Sequence, residues 1–201
     1  MKKGKKIIGI IIIILFTYIY AHVAKPYMIY DKTVDTSDYI SLGIQKSLVE
    51  QEFVCELQSL DAISVKCQLH GEEESIKVRL TLWDMENNVP AAVAEADGTK
   101  LKNGKQNVFS FERIENCKGR RYKVVLENIG SGIETGEGAG FVCQPETEEN
   151  TRLAVGGALR EGTLIIKTVT KGFDAETFVV LFILIIYIIG FFRFLERLFS
   201  R

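Results

Sequence analysis

The chain has 201 residues, 47% of them apolar, with 25 basic side chains against 26 acidic ones. Its apolar residues are concentrated in two uncharged blocks, 7–21 and 178–192, which leave an ordinary polar middle between them. That distribution argues against a soluble cytosolic enzyme, and two blocks are too few for a polytopic transporter.

In the first block, Lys2, Lys3, Lys5 and Lys6 stand directly before an isoleucine-rich run that ends near Tyr18 and Tyr20. Charge, apolar core and aromatic edge come in the order of a membrane span, so the expectation is a basic tail over 1–6 and a transmembrane helix over 7–24. A cleaved signal peptide is the competing reading, because small residues Ala21 and Ala24 follow the run. Cleavage after Ala24 would leave His22, and cleavage after Ala21 would leave Ile19, at the third residue before the cut. A small side chain is needed there, so retention is preferred. No lipobox cysteine follows the run, which argues against a lipoprotein.

The second block is followed by Arg193, Arg197 and Arg201. A buried strand is never this long, and a soluble core helix would show a polar face. A second transmembrane helix is therefore expected over 173–194, with a second basic tail over 195–201, where Phe194, Leu195, Leu198 and Phe199 repeat at helical spacing.

Orientation follows from charge. Setting aside the lysines up to Lys25 and the three C-terminal arginines leaves 17 cations between Pro26 and Glu176 against 25 carboxylates, a net of −8. Both basic ends are expected in the cytoplasm and the acidic middle outside it. An acidic balance also argues against nucleic acid, whose phosphates need a basic face.

The middle reads as strands. Apolar and polar residues alternate around Phe53, Cys55 and Leu57, through Ile63, Val65, Cys67 and Leu69, and through Ile76, Val78, Leu80 and Leu82. Further runs cover 89–96, 107–114, 122–127, 139–144 and 163–169. Turn clusters such as Glu86-Asn87-Asn88, Lys102-Asn103-Gly104 and Cys117-Lys118-Gly119 separate them. Short strands at this spacing define an all-β sandwich or barrel, expected over 44–172. The preceding stretch, 25–43, reads as a juxtamembrane segment in which Tyr27 and Tyr30 anchor at the lipid interface.

The succession "QEFVCEL", "DAISVKCQL", "SIKVRLTLWDMENNVPAAVAEA", "NVFSFERI", "GRRYKVVLEN" and "GALREGTLIIKTV", over 45–171, resembles the jelly-roll β-sandwich found as an extracytoplasmic module in bacterial cell-envelope membrane proteins. Many carbohydrate-binding modules share that fold. The resemblance implies that the first and last strands are antiparallel neighbours, placing the strand near Phe53 beside the strand near Ile165. It implies as well that the chain enters and leaves at one end, as two adjacent anchors require.

All four cysteines, Cys55, Cys67, Cys117 and Cys143, fall in this middle. An even count on an oxidising side permits two disulfides and three pairings. Shared inward parity favours Cys55 with Cys67, leaving Cys117 with Cys143; buried free thiols are the other reading. No zinc-like spacing exists, and no metal or cofactor is expected.

Catalytic motifs are absent. The histidines are His22 and His70, and the glycine-rich stretch 130–140 has no lysine for phosphate while carrying Glu134 and Glu137. The acidic runs 72–74 and 146–149 lack the alternating spacing of a calcium loop. Paired carboxylates leave no local signature, so a small envelope hydrolase stays open as a minor reading. Trp83 is the residue that points to a ligand: it shares the odd, outward parity of its strand with Arg79 and Lys77. A flat indole stacks on a pyranose ring, with Arg79 and Asp84 expected to supply hydrogen bonds. The plainer reading is a strand-end tryptophan covered by a loop.

The expected protein is therefore non-enzymatic and membrane-anchored, with an external sandwich that binds a cell-envelope glycan or lipid-linked sugar. The alternative is an assembly or accessory subunit of a polytopic membrane partner such as a glycosyltransferase or exporter.

Overall fold

The computed structural model describes residues 2–173 and 175–199. Residues 26–170 form one compact unit and the flanking segments form another.

The β-unit contains the strands that the period-two pattern requires. One sheet holds β1 (His22–Met28), β2 (Ile40–Ile44), β4 (Ser59–His70), β7 (Lys105–Glu115), β9 (Gly138–Gln144), β12 (Thr163–Leu164) and β13 (Ile166–Phe173). The other runs in the order β11 (Ala158–Arg160), β10 (Arg152–Val155), β3 (Val49–Val54), β8 (Arg121–Asn128), β5 (Lys77–Asp84), β6 (Val89–Asp97). The core lies between them: Leu80, Leu82, Val124 and Leu126 from the second sheet meet Ile63, Val65, Phe109 and Phe141 from the first. Burying such apolar faces is the main force that closes two sheets into a sandwich.

Buried carboxamides also tie the sheets together. Gln51 of β3 is fully buried and accepts from the Leu164 N–H at 2.9 Å. Asn128, at the end of β8, accepts from the Ala139 N–H at 2.8 Å and donates to the Ala139 carbonyl at 2.9 Å. At the far end of β5, Gly98 and Gly130 pack on the turn over Glu73–Ser75, and a Cβ on Gly130 would fall on the Ser75 carbonyl oxygen and 2.6 Å from the Lys77 nitrogen.

One feature splits the first sheet. The Ile165 N–H donates to Val142 O at 2.8 Å on β9, while its carbonyl accepts from Lys66 N at 3.1 Å on β4. From there β12 stays with β9 and β13 follows β4.

Several expectations need correction. The strand carrying Phe53 is not beside the one near Ile165: β3 pairs with β8 and β10, and the last strand, β13, pairs with β4 and β1. The first and last strands are still neighbours, but the first is β1, earlier than the sequence indicated. Ile29 N donates to Ile166 O and Thr168 Oγ1 to Tyr27 O, so their order reverses as antiparallel strands require. Residues 25–43 are accordingly part of the fold. Asp31 N donates to the buried Gln144 side chain at 3.1 Å, Tyr30 meets Tyr39 edge-on at 6.3 Å, and the Lys66 ammonium sits 4.9 Å from the Tyr39 ring.

The other unit holds α1 (Lys2–Tyr20) and α2 (Ala175–Phe199). Among the described residues, the stretch Glu176–Phe199 of α2 is the one long and apolar enough to cross a membrane; the apolar stretch of α1, Gly9–Tyr20, is shorter. The expected span over 7–24 is cut back because the last helical bond is Ala21 N to Thr17 O at 2.9 Å and the chain is extended from His22. At the other end the helix runs through Phe199, so 195–199 continue it rather than forming a separate tail. Ile12, Ile183 and Phe192 are each about 60% exposed. Between α1 and α2 lies an apolar groove of about 710 Å³ lined by Gly9, Ile13, Ile186 and Gly190 among others.

Candidate functional site

The parity argument for β5 holds. Val78, Leu80 and Leu82 are buried, while Lys77, Arg79, Thr81 and Trp83 are partly exposed on the outer face. Trp83 stands opposite Lys123 on β8 and Pro90 on β6, where the register shifts between Leu82 and Trp83. Lys123 in turn reaches Glu50 on β3 at 2.8 Å.

Four residues along the same face is Arg79, its guanidinium held between two neighbouring strands, by Glu95 at 2.8 Å on β6 and Glu127 at 3.4 Å on β8. Lys77 adds a 2.7 Å contact to Glu95. Hydrogen bonds from Lys77 and then Arg79 keep the Glu95 carboxyl below its ordinary range. Thr81, opposite both Val93 and Val125, separates this charged row from Trp83. By strand rise the two ends are about 13 Å apart, further than a single pyranose ring reaches. The face thus offers an indole platform with an amino group beside it, then an apolar strip, then a carboxylate–guanidinium–carboxylate row.

Asp84 does not join it. The parity that turns Trp83 outward turns Asp84 inward, and its side chain is 8% exposed. It accepts from Glu86 N at 3.0 Å, Asn87 Nδ2 at 2.7 Å and Arg120 Nη2 at 2.5 Å. Burial opposes its ionisation, but the hydrogen bonds from Asn87 and Glu86 and the Arg120 charge outweigh that and hold its pKa below the usual carboxylate value. Asp84 is a turn-capping residue that ties the β5–β6 turn to β8.

The cysteines are all buried thiols in this structure. Cys67 is the expected partner of Cys55, yet the backbone sets Cys55 beside the turn that carries Cys117, with the Cys55 sulfur donating to Leu57 O at 3.4 Å and the Cys117 sulfur to Ile114 O at 3.2 Å. Cys67 points its sulfur towards Val65 O and Cys143 towards Ile40 O. Beside Cys117 is the Tyr122 hydroxyl, buried with no well-formed hydrogen bond. Among the described residues no group of three or more His, Cys, Asp or Glu converges as a metal site.

Sequence reasoning missed a second concavity. Tyr27, Met28, Tyr30, Asp31, Lys32 and Glu148 line an open cleft of about 410 Å³. The sequence expectation for the two tyrosines is lipid anchorage, and nothing in the spacing of 25–43 signals that the segment folds onto β9. Compared with models of known protein families and with curated proteins, the chain matches none.

Proposed function

We propose that the chain is a membrane-anchored, non-enzymatic protein whose β-unit lies outside the cytoplasm and binds a cell-envelope glycan or lipid-linked sugar on the outer face of β5. The observation that carries the binding role is Trp83, the sole tryptophan, partly exposed on a strand flanked by β8 and β6 and followed along the same face by the Arg79 row. Indole faces stack on the apolar side of sugar rings, and bidentate charged rows match vicinal hydroxyls. The membrane reading rests on the length and apolar surface of α2, with basic residues at both chain ends and net negative charge between.

A second reading is favoured by the groove between α1 and α2, where Gly9 and Gly190 leave backbone open to a third helix. On that reading the chain is an assembly subunit of a polytopic partner. Full-length protein in detergent, applied to a glycan array beside its Trp83→Ala variant, separates the two. Saturable binding lost in a folded variant supports the sugar role. Binding that survives the substitution moves the site elsewhere, and no binding by either protein favours assembly.

A further inference from the structure

Cys55 and Cys117 are 62 residues apart in sequence and are brought together by the register of β3 on β8. That ladder continues one step past Val54: the Cys55 N–H donates to Arg120 O at 2.9 Å, and the Cys55 carbonyl accepts from Gly119 N at 2.7 Å. A four-residue turn then folds back, with Arg120 N donating to Cys117 O at 3.0 Å and Gly119 at φ +80°, a conformation that favours glycine. Cys117 N is held in its turn by Gln58 O at 2.9 Å. Both backbones are thus fixed by hydrogen bonds and both side chains are fully buried, with Cys55 Sγ donating to Leu57 O at 3.4 Å and Cys117 Sγ to Ile114 O at 3.2 Å. The Tyr122 hydroxyl is buried without a hydrogen-bond partner, and the polar contacts that oxidation would remove are the two weak S–H bonds to the Leu57 and Ile114 carbonyls.

The other two cysteines are placed differently. Cys67 is opposite Phe141 on β9, and beyond that point Ile165 comes between β4 and β9, on the side where Cys143 lies.

We infer that Cys55 and Cys117 are joined by a disulfide in the working protein, and that Cys67 and Cys143 remain thiols. The inference rests on the external orientation proposed above, since that side of a membrane is oxidising. The two thiols lose two protons and two electrons to an external disulfide from the extracytoplasmic oxidants. That disulfide leaves as two thiols after a mixed-disulfide intermediate. Closing the bond asks both sulfurs to rotate from the Leu57 and Ile114 carbonyls towards each other on backbones that the ladder and the turn already hold side by side. Burial pushes the Cys55 thiol up to about 11, so in the closed fold the reactive thiolate is scarce. The same burial shields the finished bond from exchange.

The four cysteines fall on four different tryptic peptides, 47–66, 67–77, 114–118 and 124–152. Cells producing the full chain are quenched with an alkylating reagent, and the denatured protein is alkylated with a second reagent and mapped without reductant. The expected result is peptide 47–66 linked to 114–118, with Cys67 and Cys143 carrying alkyl groups. A parallel Lys102→Cys variant, at an exposed loop position, is treated with a membrane-impermeant maleimide on intact cells. Four alkylated cysteines in a protein whose position 102 labels from outside overturn the inference while leaving the orientation intact, as does any other linkage. Four alkylated cysteines with position 102 labelled only after lysis show that the orientation is wrong, and the inference falls with it.

Discussion

The carboxamide of Asn128 grips the backbone of Ala139 at both ends, accepting from its N–H at 2.8 Å and donating to its carbonyl at 2.9 Å, across the gap between two sheets. A third bond, from Nδ2 to Gln45 O at 3.2 Å, fixes the amide orientation. Replacing Asn128 with leucine strands the peptide groups of a residue that is fully buried. Buried unsatisfied groups cost about 1–3 kcal/mol each, so Asn128→Leu should destabilise the β-unit by about 2–4 kcal/mol in chemical denaturation. An unchanged midpoint would show that the clamp contributes nothing.

Asp84 should give part of the acid sensitivity. Its folded pKa is below its unfolded value, so its contribution is fully present above about pH 4 and is lost as pH falls through the folded value. Asp84→Asn, which cannot ionise, should be less stable than the parent at pH 6, and the gap should shrink on titration from pH 5 to pH 2.5. A constant gap across that window would mean that the carboxylate charge is irrelevant to the turn.

Gly130 tests the packing at the far end of β5. An added methyl meets the Ser75 carbonyl and the Lys77 nitrogen, both backbone atoms that a side-chain rotation cannot move. Gly130→Ala should cost about 2–3 kcal/mol, within the range for overpacked sites. Gly136→Ala is the contrasting case of open space at φ +84°, where backbone strain of about 1 kcal/mol is the expected loss. Equal melting temperatures for the two variants would contradict the geometry.

Tyr122 should tolerate loss of its hydroxyl. The group is buried without a proper partner beside Cys117, while its ring stacks on Phe53 at a centroid distance of 6.1 Å. Tyr122→Phe keeps the ring and removes the desolvated polar atom, so stability should be unchanged or higher by about 1 kcal/mol. A loss of stability would reveal that the hydroxyl has a partner, such as an ordered water.

Strands such as β5 were legible because alternation survives wherever one face is buried and the other is wet, whereas β9, buried at every position, was legible as a short run between turn clusters. The start of β3 was not: its inward position 51 is a glutamine, which breaks the apolar pattern although it is fully buried and hydrogen-bonded to Leu164. For β1 the obstacle was context, since Tyr27 and Met28 beside an apolar run look like an interface and only the register with β13 shows otherwise. The outward aim of Trp83 followed from period two alone. The same period turns Asp84 inward, which the expectation of Asp84 beside Trp83 passed over, and there Glu86 N, Asn87 Nδ2 and Arg120 supply its partners. The placing of Cys55 beside the turn at Cys117 had no local signature, because it is fixed by strand pairing and a glycine turn rather than by spacing.

The adjacency of β1 and β13 has a mechanical side. A force that drew the two flanking helices apart would pull these antiparallel strands open from one end, breaking their hydrogen bonds singly in the manner of a zipper. Loaded in shear, the same bonds would have to fail together at a much higher force. Separating the two helices would therefore peel off the outermost strand, β1, before the rest of the sheet is loaded.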